Sequence, residues 1–170
     1  MDDDDVDVYT DEPQVETDGS GGTSQGTAAS GELGGLLYTI PDGWEMSELD
    51  NGYTYDNYAD GGWSSIMLWT YDYDFEYSEA DLEDDLQSQV DYYNGDSDIE
   101  VVDATTMSID GCPATYLESI WTSTDIPVRM IEIEVISPSG ELITIEGSCT
   151  DSYEEGKRQI AEFVDSLAFE

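Results

Sequence analysis

Of the 170 residues, 42 are Asp or Glu, three are Lys or Arg and none is His. Chemistry must therefore come from carboxylates, aromatic rings, two thiols and very few cations. Two carboxylates can hydrolyse a glycosidic bond when an apolar pocket pushes one of them to a high pKa. Acids are so dense here that the sequence singles out no such pair. Alternating acids can instead gather a hard cation, which wants several oxygens on a flexible backbone. Asp96-Ser97-Asp98-Ile99-Glu100 has that alternation, and Asp72, Asp74 and Glu76 repeat it. Neither stretch has the central Gly or the distal Glu of an EF-hand loop. The expectation is weak calcium binding at Asp96, Asp98 and Glu100, and no other cofactor.

Nineteen aromatic residues offer stacking surfaces. Trp44, Trp63, Trp69 and Trp121 fall in or beside apolar runs, where rings usually enter the core. Tyr53-Thr54-Tyr55 puts two tyrosines on one strand face beside an exposed hairpin, so Tyr53 and Tyr55 are the expected ligand-binding patch. Arg129 shares its strand parity with Ile131, Ile133 and Val135, a core-facing set. One account is a strand end or bulge that lets the guanidinium reach solvent, and this is the account favoured. The other is a partly buried guanidinium holding one or two carboxylates, or an acidic ligand, by paired hydrogen bonds.

The composition excludes several functions. A formal charge of −39 repels nucleic acid and anionic lipid alike. No run approaches the ~20 apolar residues of a membrane span. Without His there is no His-based zinc or haem site and no His-activated nucleophile. No Gly-rich Lys loop is present. A halophilic origin would share this acid-rich composition.

The elements follow from turn signals. Residues 1–35 carry ten acids and a stretch dominated by Gly, Ser, Thr and Ala. They read as a disordered, expanded tether. Residues 36–170 read as one domain, with 32 acids against three bases. Strands are expected at 36–40, 53–57, 63–73, 99–107, 114–121, 128–137 and 141–148, separated by Asp-Gly, Asn-Gly and Pro-Ser-Gly turns. In the third of these, Trp63, Met67, Trp69 and Tyr71 take one parity and Ile66 and Leu68 the other, which predicts cover on both faces. A first helix starts at Ser78, with Asp81 completing a capping box and Leu82, Leu86, Val90 and Tyr93 as its apolar stripe. A second starts at Ser152, with Glu155 as its partner and Ile160, Phe163, Val164 and Leu167 facing inward. Strands grouped with two helices imply an α+β domain with a central antiparallel sheet of six to seven strands.

Three segments, in order, resemble one superfamily. Tyr38-Thr39-Ile40-Pro41-Asp42-Gly43-Trp44 resembles its opening element, Ile109-Asp110-Gly111-Cys112-Pro113-Ala114 its mid-sheet turn, and Phe163-Val164-Asp165-Ser166-Leu167-Ala168-Phe169 its closing helix end. Together they resemble the PsbP-like, Mog-like and DcrB-like fold over residues 36–170. The resemblance implies an antiparallel sheet with helices packed on it, and no functional residue carries over from it.

A polar tether ahead of a small domain fits the bacterial surface lipoproteins of that superfamily. Met1 runs straight into acids, with no basic or apolar leader segment. The expectation is an extracellular, tethered monomer, with membrane contact only through an N-terminal lipid anchor outside this sequence. Cys112 opens one strand and Cys149 ends another, and adjacent antiparallel strands would bring them together. In an oxidising compartment a Cys112–Cys149 disulfide is expected. The functional reading is a non-enzymatic domain that binds a protein or a small ligand. A carboxylate-dependent glycan hydrolase is the alternative.

Overall fold

The computed structural model describes residues 28–71 and 76–170. In chain order these form β1 (Ala29–Leu33), β2 (Leu36–Ile40), β3 (Glu45–Leu49), β4 (Gly52–Ala59), β5 (Gly62–Tyr71), α1 (Glu79–Asn94), β6 (Ile99–Ile109), β7 (Cys112–Trp121), β8 (Val128–Ile136), β9 (Leu142–Thr150), α2 (Glu154–Asp165) and β10 (Ala168–Phe169). Seven strands make one antiparallel sheet in the order β3-β4-β5-β9-β8-β7-β6, and β1-β2-β10 make a small second sheet. The fold is α+β, as expected.

Two-residue turns set the register. Asp110 (φ 49°) and Gly111 (φ 85°) both take left-handed backbone between Ile109 and Cys112, which Gly and Asp accept more readily than bulkier residues. Ser78 caps α1 through a complete capping box with Asp81. The cap expected at Ser152 is not used. Tyr153 takes that place without a side-chain hydrogen bond, and Ser152 lies one residue outside the helix junction.

The two helices take opposite faces of the large sheet. Ile160 and Phe163 of α2 join Leu36, Tyr38 and Ile40 of the small sheet over Ile66, Leu68, Ile133, Val135, Ile143 and Ile145. Gly147 admits this approach, because a Cβ there would stand 2.8 Å from the Ile160 side chain. On the other face Leu82 of α1 packs on Ile136 and Leu142, and α1 lies over β6 and β7.

Three expectations change. Strand β1 is paired with β2, so the folded region begins ahead of residue 36, and residues 1–27 of the expected tether lie outside the described residues. Strand β3, which no alternation announced, is an exposed edge. Strand β5 is not covered on both faces: Ser64, Ile66 and Leu68 are buried, whereas Trp63, Met67 and Trp69 stay half-exposed and Tyr71 is exposed. Among the described residues no helix is long and apolar enough to cross a membrane.

The Cys112–Cys149 bridge is also overturned, since both thiols are free. Cys149 pairs with Arg129, and Arg129 with Ile120. Cys112 therefore sits eight residues away along β7, about 26 Å, against the ~4–7 Å Cα separation a disulfide needs. Both cysteines should alkylate in denaturant without reductant, adding two labels by mass. In the native chain Cys112 should react first. Cys149 is 1% exposed, and burial pushes its thiol up to about 11, which removes the reactive thiolate. A single label or none on the denatured chain would contradict this topology.

Candidate functional site

The residues singled out from sequence scatter over the structure. Tyr55 is buried in the core, its hydroxyl 3.0 Å from that of Tyr38. Tyr53 is half-buried and packs on the same core, its ring tilted against Tyr55 at 6.4 Å. The expected aromatic ligand patch is thus core wall, because the Tyr53/Tyr55 parity faces Ile66 and Leu68 across the β4–β5 pair. Asp96, Asp98 and Glu100 are exposed, and Asp96 Oδ1 accepts the backbone N–H of Asp98 at 2.9 Å. Among the described residues no three acidic or thiol side chains converge as a metal site. Asp72 and Asp74 lie outside the described residues.

Arg129 follows the second of its two accounts. Its Nε donates to Asp151 Oδ1 at 2.9 Å and its Nη1 to Glu118 Oε1, with the Tyr116 hydroxyl donating to Glu118 Oε2 at 3.2 Å. The side chain is 21% exposed. It is a cross-strand clamp that holds two carboxylates of the fold.

A different group of residues converges where α1 stops covering the sheet. On the α1 face, β8 presents Glu132 and Glu134, and β9 presents Thr144 and Glu146. The register sets Glu132 directly opposite Glu146 and Glu134 opposite Thr144. Like charges facing each other across an antiparallel pair destabilise it. Beside them on β5 stand Met67, paired with Glu146, and Trp69, paired with Thr144. From α1, Asp85 and Gln89 rim a cavity of about 40 Å³ floored by Glu132, Glu134 and Thr144. That volume holds about three waters.

This group is ordered and incompletely satisfied. Glu132 is held at both oxygens, by Gln89 Nε2 at 3.0 Å and by the Tyr93 hydroxyl at 2.8 Å. Tyr93 is itself fixed edge-on against Trp121, with ring centroids 5.5 Å apart. Glu134 and Glu146 accept no hydrogen bond from the described residues. Thr144 is 9% exposed, and its Oγ1 is buried without a partner among them. Burial raises all three glutamates. Glu134 is pushed up to about 7, first by burial and then by the charges of Asp85 and Glu132. Glu132 rises through burial and the charge of Glu146 despite the Tyr93 hydrogen bond, and Glu146 rises through burial.

No Lys or Arg side chain neutralises this group. The chain's three Lys and Arg residues are all committed elsewhere. Arg129 pairs with Glu118 and Asp151, Lys157 with Glu154, and Arg158 with Glu155 and Glu162. Sequence reasoning passed over Glu132, Glu134 and Glu146 because Ile-Glu-Ile-Glu alternation reads as an ordinary half-solvated strand. The available signal was that two neighbouring strands both carry acids on the parity opposite their apolar set.

No family model matches the chain, and no curated protein matches it by sequence. Solved structures do. The solution structure of cyanobacterial PsbP (CyanoP) from Synechocystis sp. PCC 6803 aligns at 16% identity and a TM-score of 0.58, covering 88% of this chain and 96% of that one. The Saccharomyces cerevisiae Ran-binding protein Mog1p aligns at 12% identity and 0.53, covering 85% and 96%. LpqN, involved in cell envelope biogenesis of Mycobacterium tuberculosis, aligns at 12% and 0.53, covering 86% of each chain. The fold is PsbP/Mog-like, as the three sequence motifs implied.

Proposed function

Starting from that fold, we propose that the chain is a non-enzymatic binding domain whose open sheet face beside α1 takes a basic protein segment. The observation that carries this reading is the set of half-buried carboxylates, Glu132, Glu134 and Glu146, which none of the three Lys and Arg residues pairs with. Half-exposed Met67 and Trp69 adjoin them and offer apolar contact for the stems of Lys and Arg side chains. Other occupants fit poorly. Residues 1–27 bring nine acids and no Lys or Arg, and a second copy brings the same −39. A hydrolytic pocket would need room for a sugar and an aromatic wall. The cavity between Glu132 and Glu134 holds about three waters and is lined by no ring.

The Mog1p structure is that of a Ran-binding protein, which supports a protein partner in general terms. We further propose the tethered, surface-exposed lipoprotein setting. The Gly/Ser/Thr-rich acidic composition of residues 1–27 and the likeness to an envelope-biogenesis protein support it.

Calorimetric titration of the full chain with a decalysine peptide and with a decaglutamate peptide tests the binding reading. Decalysine should bind at low ionic strength and weaken steeply between 0.01 and 0.15 M salt as the Debye length falls from ~30 to ~8 Å. Decaglutamate should not bind. Glu132→Gln combined with Glu146→Gln should weaken decalysine at least about tenfold, because two of the most desolvated charges are lost. An affinity that ignores these two substitutions while following total charge would assign binding to the acidic surface at large and remove this face as the site.

A further inference from the structure

Resting on that reading, we propose that the cavity between α1 and strands β8 and β9 is a socket for one primary ammonium group, the end of a lysine side chain of the partner. An acidic cluster alone would not make this case. The independent observation is Thr144, whose Oγ1 is buried without a partner at the floor of the cavity. Buried polar atoms are normally hydrogen-bonded, and an orphan in a polar, roomy site marks a place for a donor.

The acceptors match an ammonium in number. An ammonium has three donors and no acceptor. Glu134 offers a carboxylate with no hydrogen bond from the described residues, Thr144 offers Oγ1, and Glu132 offers the lone pairs that Gln89 and Tyr93 leave free. Those two contacts also fix the Glu132 carboxylate in place, so it is oriented before anything arrives.

Two other cations are disfavoured. Guanidinium recognition is strongest as a two-pronged pair with one carboxylate; both oxygens of Glu132 are already engaged, so such a pair could form on Glu134 alone, without the joint use of Glu132 and Thr144 that an ammonium makes. A divalent metal needs several oxygens at about 2.0–2.6 Å around one point, and no three carboxylates converge in that way among the described residues. Hydrogen bonds to an ammonium reach about 2.7–3.2 Å, which suits a wider ring of acceptors. The four-carbon stem of lysine would leave the socket past Asp85 and Gln89.

The test uses the ¹⁵N-labelled full chain, titrated with n-butylammonium and separately with n-butylguanidinium, with decalysine calorimetry alongside. Butylammonium should shift the amide signals of Thr144, Glu134 and Gln89 and bind about tenfold tighter than butylguanidinium. Thr144→Val should abolish that preference, and Thr144→Ser should keep it. The valine variant should keep its melting temperature, because it replaces an unpaired buried hydroxyl with a methyl of the same shape. Glu134→Gln is the second variant and should weaken butylammonium by a similar factor. Equal binding of the two probes, or ammonium binding that ignores both variants, overturns the socket. If decalysine still responds to the Glu132/Glu146 substitutions in that case, the binding face stands without it. If decalysine does not bind at all, both readings fail.

Discussion

Replacing Arg129 with methionine should lower the stability of the full chain at pH 7.5 by about 2–4 kcal/mol, read from urea unfolding. Removing one partner of a buried ion pair costs about 3–5 kcal/mol, mostly because the other charge is left desolvated and alone. The figure here is set lower because the side chains of Arg129, Glu118 and Asp151 keep 21%, 18% and 30% of their exposure. Glu118 would retain the Tyr116 hydroxyl, while Asp151 would lose its ion pair at the end of β9. The loss should shrink when Glu118→Gln is combined with Arg129→Met, since that change removes one of the two stranded charges. A loss under about 0.5 kcal/mol would mean that the clamp is a solvated surface pair.

The clamp also shows what could be read in advance. Strand parity correctly put Arg129 on the core face, but parity cannot say which neighbours arrive. Glu118 comes from β7 and Asp151 from beyond β9, and only the register of three strands brings them to one point. The same limit explains the disulfide. Cys112 and Cys149 sit at strand ends, as read, yet those ends lie eight residues apart along the strands. Chain position alone does not distinguish them.

The fold itself was legible because its signals are local and agree with one another. Ser78 and Asp81 form the capping box expected of them, and Asp110-Gly111 makes the two-residue turn. The three motifs that carried the family resemblance also meet physically. Ser166 Oγ accepts the backbone N–H of Thr39 at 2.9 Å, and Asp110 Oδ2 accepts that of Phe169 at 2.8 Å. Strand β10 pairs with β2 beside them. These residue patterns therefore report closure of the small sheet onto the large one. They carry no information about a ligand.

The binding face was not legible for a related reason. In β5, Trp63, Met67 and Trp69 read as a buried parity because they are large and apolar. Their side is left half-exposed because α1, the element that covers this face, lies over β6 and β7. A helix's apolar stripe says that it will pack, but not across which strands. The glutamates next to these residues then looked like ordinary solvent-facing alternation. Their meaning depends on where α1 stops.

Acidification from pH 8 to pH 5 should raise the melting temperature of the full chain, with Glu134 as the largest single contributor. Burial between α1 and the sheet, followed by the charges of Asp85 and Glu132, raises Glu134 from 4.5 to about 7. Glu132 on the same strand and Glu146 on β9 are raised as well. A raised acid means that the folded state binds more protons than the unfolded chain between those values. Stability therefore falls as pH rises through that window and is recovered on acidification. Glu134→Gln should make the chain more stable at pH 8 by about 1–2 kcal/mol, after discounting the full shift for solvent screening, with most of that gain gone at pH 5. Adding salt from about 0.01 to 0.15 M should raise the melting temperature more at pH 7.5 than at pH 5, because fewer repulsions remain to be screened at the lower pH. A melting temperature that falls steadily from pH 8 to pH 5, or a Glu134→Gln chain no more stable than the parent at pH 8, would show that these acids are compensated locally. The same proton ties stability to binding. Protonating Glu134 relieves the sheet but removes the charge that would hold a lysine, so decalysine affinity should drop over the pH range in which the free chain becomes more stable. A group that costs stability while empty and charged is what a site filled by a partner's cation requires.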